Sequence, residues 1–457
     1  MYKTIIKKKV IISLMSGLLL LLGCEEKEWP TDPHDLTRPE VVSTIPEDGS
    51  MMNSVNQTIT IAFGKEMDLS SLSELTAIKD GNDNNVSGSW AGSEGNYTFT
   101  PQGALSNATL YNVSMQGAFT PEGEWLGPGV RDANGNSMEN ETSFSFSTEG
   151  NFGNFPLYLG SGGDNGGVFA YVQNLELSEF ENYPGEGVQT PAITPDGSKV
   201  YVASSDNSKV IVIDVTSNTV SAEISMPDTV EGPRTLAVSP NGAEVWVACN
   251  GSMHLVVINT SNNQVEATIS LSDYAEDVHS MAINNAGTRG YITTNWDQGV
   301  IVVDITNRAV LEYIEGVATV ESTVAITVSP DDSKIIVFLA WAEDEIAVID
   351  AATNDISYMS IGSGGDGWKL DVEGNFIYAS GRWNGNIYKI DMTDMSVAAE
   401  TNVEWDMKGI AVDTDGEVVY AIAPAYNDEG GLFILNANNL SLLGSISAGN
   451  YRGIVTP

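Results

Sequence analysis

The sequence predicts an all-β protein, a small β-sandwich followed by a seven-bladed β-propeller. Three observations carry this. A unit of 42–45 residues recurs seven times over residues 151–457, each copy with four short apolar stretches divided by Gly, Asp and Asn turns. Ahead of it, residues 40–150 hold short segments of alternating polar and apolar side chains, the period of a half-buried strand. Composition agrees, since 45 glycines with only 18% charged residues suit short strands and tight turns better than salt-bridged helices.

In chain order, the first segment is an address. MYKTIIKKK (1–9) is basic, and VIISLMSGLLLLLG (10–23) is an apolar run of signal-peptide length, too short to span a bilayer comfortably. It ends Leu21-Leu22-Gly23-Cys24, which resembles a bacterial lipobox. The resemblance implies a signal peptide over 1–23, cleavage before Cys24 and acyl chains on Cys24. Several acyl chains on one residue anchor stably, at about 0.8 kcal/mol per buried methylene. Residues 24–39 (CEEKEWPTDPHDLTRP) are polar with three prolines and read as an extended tether. The acidic residues after Cys24 resemble the surface-export signal of Bacteroidetes lipoproteins. That implies an outer-membrane lipoprotein exposed at the cell surface, with the periplasmic face as the alternative.

The next segment is the sandwich. QTITIAF (57–63), NYTFT (96–100), LYNVSM (110–115) and TSFSFST (142–148) alternate, with the clusters KDGNDNN (79–85) and DANGN (132–136) between them. The stretches VVSTIPEDGS (41–50), ITIAFGKEMD (59–68), YTFTPQGALSNATLYNVSM (97–115) and DANGNSMENETSFSFST (132–148) resemble bacterial Ig-like domains. Residues 40–150 are therefore expected to be an Ig-like module, which implies a spacer or adhesive role. The Asp and Asn of the two clusters have oxygens suited to calcium. Neither completes an EF-hand loop, however, and tight turns select the same residues.

The repeat fills 151–457. Its second strand recurs at Tyr158, Tyr201, Trp246, Tyr291, Ile336, Tyr378 and Tyr420, at spacings of 43, 45, 45, 45, 42 and 42 residues. Before it comes a turn such as TPDGSKV (194–200) or SPNGAEV (239–245), and after it an apolar strand ending at Asp214, Asn259, Asp304, Asp350, Asp391 or Asn436. One four-stranded unit cannot cover both its faces, whereas seven in a ring cover each other. The last unit stops at its innermost strand, RGIVTP (452–457), so LYLGS onward is expected to supply that blade's outer strands and close the ring. The units resemble the YVTN family of β-propeller repeats. Propellers of that kind include binding modules, surface proteins and some enzymes, so the resemblance fixes the fold and leaves function open.

Repeated residues build the fold, and residues that differ between units are where specificity belongs. Asp214, Asp304 and Asp350 look like ligands, but they recur at one turn and are expected to bind backbone N–H groups. The loops after the second strand vary. Trp296, Trp341, Trp383 and Tyr426 occupy neighbouring loops and are candidates for recognising a glycan, a peptide or an envelope protein, because aromatics offer large area at low entropic cost. The plainer reading is that they cover the rim of the core. Counting six residues back from each turn gives Gln189, Arg234, His279, Val324, Asp366, Lys408 and Tyr451 at the mouth of the central channel. Arg234, His279 and Lys408 could hold a carboxylate or phosphate there. The alternative is that they pair with Glu231, Asp277 or Asp406.

The charge bounds the partners. Against 61 acidic residues stand 20 basic ones, four of them in the first nine positions, and the net charge is −41. Such a surface repels phosphate backbones, so no nucleic-acid partner is expected. Only His34, His254 and His279 exist, and no GxSxG or HExxH stands out, so neither a metal nor another cofactor is expected. The function expected is a lipid-anchored envelope recognition or scaffold protein. The alternatives are a propeller enzyme, lactonase-like or quinone-dependent dehydrogenase-like, and a purely structural subunit of an envelope complex. Cys249, at the end of the strand WVAC, is expected to stay unpaired as a small buried hydrophobe.

Overall fold

The computed structural model describes residues 37–457 apart from 121–122, 150–156, 161–168, 174–175, 180–187, 295–297, 319–322, 340–344, 362–366, 382–384, 404–406, 414–415, 424–430, 448–452 and 456–457. Cys24, the tether up to residue 36, and Trp296, Trp341, Trp383 and Tyr426 lie outside the described residues.

The alternation read from the sequence becomes two packed sheets. One orders Val41–Ile45, Ile59–Phe63, Asn96–Pro101 and Gly88–Ser93; the other orders Ser50–Asn53, Thr142–Thr148, Leu110–Met115 and Thr76–Asp80. Ile59, Ile61 and Phe63 point inward with Tyr111, Val113, Met115, Phe144 and Phe146, and together they form the sandwich core. Each such side chain contributes about 1.5–3 kcal/mol on burial. The two Asp–Asn clusters are turns of one design. Asp80 Oδ1 accepts from the N–H groups of Asn82 (3.0 Å) and Asn84 (2.8 Å), and Asp132 Oδ1 from those of Asn134 (2.9 Å) and Asn136 (2.8 Å). Their second oxygens accept from the Asn84 and Asn136 amides. A seven-residue helix, Leu69–Leu75, was not foreseen; Asp68 caps it, accepting from Ser70 N–H at 3.1 Å.

Among the described residues of the repeat there are seven four-stranded antiparallel sheets. We number the blades in chain order. Blade 1 is Leu157–Gly160, Phe169–Gln173 and Glu176–Glu179 with Gly453–Val455 added as its innermost strand. Blades 2 to 7 begin with innermost strands Val188–Ile193, Pro233–Val238, Met281–Ile283, Thr323–Val328, Gly367–Glu373 and Gly409–Val412. Each innermost strand touches the next, and Gly453–Val455 touches both Gly409–Val412 and Val188–Ile193, so the ring is closed. Closure uses the strands expected from the sequence: Gly453 faces Gly160, Ile454 faces Leu159 and Val455 faces Tyr158.

The repeat's grammar has a physical reason at each position. Middle strands such as KVIVID (209–214) are buried on both faces by neighbouring blades and so read as unbroken apolar runs, while outer strands such as QVEATIS (264–270) alternate at the rim. The recurring aromatic reaches sideways. Tyr158 and Tyr201 donate through their hydroxyls to Asn218 Oδ1 (2.5 Å) and Asn263 Oδ1 (3.0 Å) of the next blade, and Tyr378 to Ala437 O (3.1 Å). The acceptors sit in the turn before each outer strand, where Asn218, Asn263, Arg308, Asn354, Met395 and Leu440 all hold positive φ. Asp214 Oδ1 accepts from Ser217 N–H (2.8 Å), Asp304 Oδ1 from Asn307 N–H (2.8 Å) and Asp350 Oδ1 from Thr353 N–H (2.9 Å). These aspartates shape turns, as the sequence implied. Cys249 is free and fully buried, and burial pushes its thiol up to about 12.

The sandwich does not stand clear of the propeller as a simple spacer would. Residues 38–457 form one compact unit. Ala108, with half-buried Met51 and Leu110, joins an apolar cluster that holds Leu432 and Leu443 of blade 7 and Leu157, Leu159 and Ile454 of blade 1. Asn436 Nδ2 donates to Ala108 O and Asn439 Nδ2 to Asn82 Oδ1, each at 2.7 Å. Gly444 makes room for this contact: a Cβ there would lie 1.6 Å from Met51 Sδ and would displace the Met51 side chain.

Candidate functional site

Antiparallel order within each blade places the turn from first to second strand and the turn from third to fourth at one end of the ring. That end is taken up by blade-to-blade ties. Lys199 Nζ donates to Thr260 O (2.6 Å), Arg289 Nη1 to Ala351 O (3.3 Å) and Lys334 Nζ to Met392 O (2.8 Å), each in the following blade. Asp196 and Asp331 are held down at about 2, first by the hydroxyls of Thr194 and Ser329 and then by donors on Ser198 and Ser333.

The opposite end carries the variable loops and the starts of the innermost strands. They touch, as Asn250 N–H donates to Gly232 O (2.8 Å) and Asn250 Oδ1 accepts from Val278 N–H (2.8 Å). Here a repeated β-bulge sets the side chains. Pro233 faces Cys249 and Thr235 faces Ala248, so Arg234 is the extra residue. Val324 and Trp368 hold the same place in blades 5 and 6. In blades 4 and 7 the place falls to His279 and Lys408, whose N–H groups donate to Thr293 O (2.9 Å) and Ile422 O (2.8 Å). A bulge bends the strand and re-aims the extra residue; in blade 5 that residue, Val324, is buried in the apolar core.

One position of the sequence count is corrected. In blade 6 the equivalent residue is Trp368, not Asp366. Glu373 pairs directly with Phe376, whereas in blade 3 the last pair is Val238 with Val245, so the blade 6 turn is shorter and the count slips by two.

The structure places Arg234, His279 and Lys408 at this mouth. Arg234 Nη1 lies 3.7 Å from Asp277 Oδ1, so one of the pairings expected as an alternative exists, at long range. His279 is 6% exposed, and its Nδ1 lies 2.6 Å from Val324 O in the next blade. A carbonyl only accepts, so Nδ1 carries a proton and donates. Lys408 is 5% exposed.

Lys369 was missed by the sequence count. It follows Trp368 on the innermost strand of blade 6, where the other units have Thr235, Ser280, Ala325 and Gly409. Burial, and then the charge of Arg234 from blade 3, push its ammonium down to about 8. Two residues on, Asp371 Oδ1 accepts from Val372 N–H (2.8 Å) and Oδ2 from Val412 N–H (2.9 Å) of blade 7. Burial raises its carboxyl to about 6 against those two donors. The signal for both was a charge on a strand that is otherwise small or apolar. Among the described residues no three His, Cys, Asp or Glu side chains gather as a metal site needs.

Comparison with known proteins supports both halves of the fold. Residues 35–148 match the bacterial Ig-like domain family. No curated protein matches the chain. The structure of U3-55K is 12% identical over 59% of this chain and 84% of its own, with a TM-score of 0.50. The RRP9 WD40 repeats are 12% identical over 65% of this chain and 88% of their own, with a TM-score of 0.51. Hydrazine synthase of Kuenenia stuttgartiensis is 18% identical over 55% of this chain and 76% of its own, at a TM-score of 0.45. The second half is thus similar in fold to WD40-type propellers.

Proposed function

We propose that this protein is a lipid-anchored recognition protein of the bacterial cell envelope, binding a glycan, a peptide or another envelope protein at the channel mouth of its propeller without turning it over. The observation that carries this is the division between the two ends of the ring. One end is standardised from blade to blade and spent on ties such as Lys199 to Thr260 and Lys334 to Met392. The other gathers what differs, with Arg234, His279, Val324, Trp368 and Lys408 on equivalent strand starts beside loops of unequal sequence. Unequal side chains on an equal scaffold are what selective binding requires. The sandwich, packed on blade 7, holds the platform rigidly rather than on a free stalk.

The test is a glycan and peptide array probed with the mature protein and with a triple variant, Trp296→Ala with Trp341→Ala and Trp383→Ala. A set of hits that the triple variant weakens supports the reading; hits that persist unchanged place recognition elsewhere. Anchoring through Cys24, at the outer membrane and facing outward, is part of the same proposal. Radiolabelled palmitate should label the wild-type chain and leave Cys24→Ser unlabelled, and a wild-type chain that takes no label refutes it. Protease added to intact cells should degrade the protein; full protection assigns it to the periplasmic face.

A further inference from the structure

We infer that the sandwich docks on the lipid surface through the tip formed by Trp125 and Leu126, which enters the boundary between headgroups and acyl chains. This rests on the anchoring through Cys24 proposed above.

The tip is built to hold two apolar side chains in water. Phe119 and Trp125 pair as an antiparallel bridge, with their rings edge to face at 5.3 Å. Thr120 N–H donates to Glu124 O (2.8 Å), Gly123 N–H to Thr120 O (2.9 Å) and Leu126 N–H to Ala118 O (2.9 Å). Ala118 and Phe119 N–H in turn donate to Met138 O and Glu139 O, each at 2.9 Å, which fixes the tip to the body of the sandwich. Yet Trp125 is 62% exposed and Leu126 51%. The contrast is with Trp90, packed against the sandwich core, and Trp246, fully buried in the propeller. An indole settles at the headgroup boundary, and a neighbouring leucine adds apolar area at the same shallow depth.

The place of the tip says what covers it. Arg38 Cζ lies 5.6 Å from the centre of the Phe119 ring that backs Trp125, and Arg38 Nη1 donates to Ser137 O at 3.0 Å. The chain therefore joins the sandwich within one side chain's length of the tip. Arg38 is 14 residues after Cys24, a span of at most about 50 Å when fully extended. Acyl chains on Cys24 would keep lipid within that reach, and the tether turns a weak contact into an intramolecular one. A second copy of the chain fits less well, because two side chains cannot bury the roughly 800 Å² per partner of a standard interface. Exposed Glu124 and Glu139 beside the tip offer nothing to an anionic surface, so the attraction is apolar.

The experiment couples the mature chain through the Cys24 thiol to a maleimide-headgroup lipid in phosphatidylcholine vesicles, with Trp29→Phe as the parent so that the tether carries no indole. Cys249 is buried and does not compete for the reagent. Vesicles with brominated acyl chains are expected to quench the parent's fluorescence relative to plain vesicles. Both Trp125→Ala and Leu126→Asp, the second of which keeps the indole, should cut that quenching by about twofold or more, and added salt should leave it unchanged. Thermal unfolding checks that both variants are folded. No quenching of the parent, quenching in Leu126→Asp equal to the parent's, or quenching abolished by salt overturns the inference. So does sedimentation of the uncoupled protein as a dimer that Leu126→Asp dissolves, which assigns the tip to a second copy. Chemical coupling keeps the two readings apart. A chain that takes no palmitate in cells yet is quenched when coupled fails the anchoring proposal alone, and one that is acylated but not quenched fails this inference alone.

Discussion

At the scale of single residues, the account turns on what a repeated side chain is for. Tyr201 is fully buried, yet its hydroxyl finds Asn263 across the blade boundary. Removing that hydroxyl leaves the Asn263 side-chain oxygen short of a donor. Tyr201→Phe is therefore expected to cost about 1 kcal/mol in urea unfolding, and no change would remove the tie from the account. Asp371 gives a pH signature. Its native carboxyl holds a proton to about 6, while the unfolded chain releases it near 3.8, so the native state binds more protons between those values. Stability contributed by this group therefore falls as pH rises from about 4 to about 6. Asp371→Asn should flatten that fall in a series of thermal midpoints; an unchanged series contradicts the assignment. The turn aspartates behave oppositely, since Asp196 and Asp331 titrate near 2 and their contribution is lost as pH falls below about 4.

At the scale of elements, strands were legible and their irregularities were not. Alternation exposed the sandwich strands, and unbroken apolar runs exposed the middle strands of the blades, because burial on one or both faces writes itself into the sequence. The β-bulge at Arg234 leaves no such mark, because an inserted residue is defined by its partner strand. Counting from the turns therefore found Arg234, His279 and Lys408 but slipped in blade 6, where a shorter turn moves Trp368 into register, and it passed over Lys369 one residue further on. The helix Leu69–Leu75 escaped because seven residues carry too little periodicity. The docking strand Leu442–Ser447 did carry a signal. Leu443 is 3% exposed where the equivalent bulge positions hold Ser221 and Glu266, and Gly444 replaces alanine. Gly444→Val should push against Met51 and lower stability by about 1–3 kcal/mol in urea unfolding. Wild-type stability would mean that the sandwich contact yields without cost.

At the scale of the whole molecule, the ring is closed by two strands from opposite ends of the repeat, and the sandwich that precedes the first of them packs over the seam between blades 7 and 1. Fold and closure were legible because seven copies repeat the same physics. Ligand identity was not, because it resides in the few positions that each copy changes. The central claim is that recognition belongs to the channel mouth and not to the tied end of the ring. The direct measurement compares binding of one array hit to Arg234→Gln combined with Lys408→Gln, at the mouth, and to Ala286→Arg, on an exposed turn at the tied end. The account predicts binding lost by about tenfold or more in the first and kept in the second. Binding kept in the first and lost in the second would contradict it.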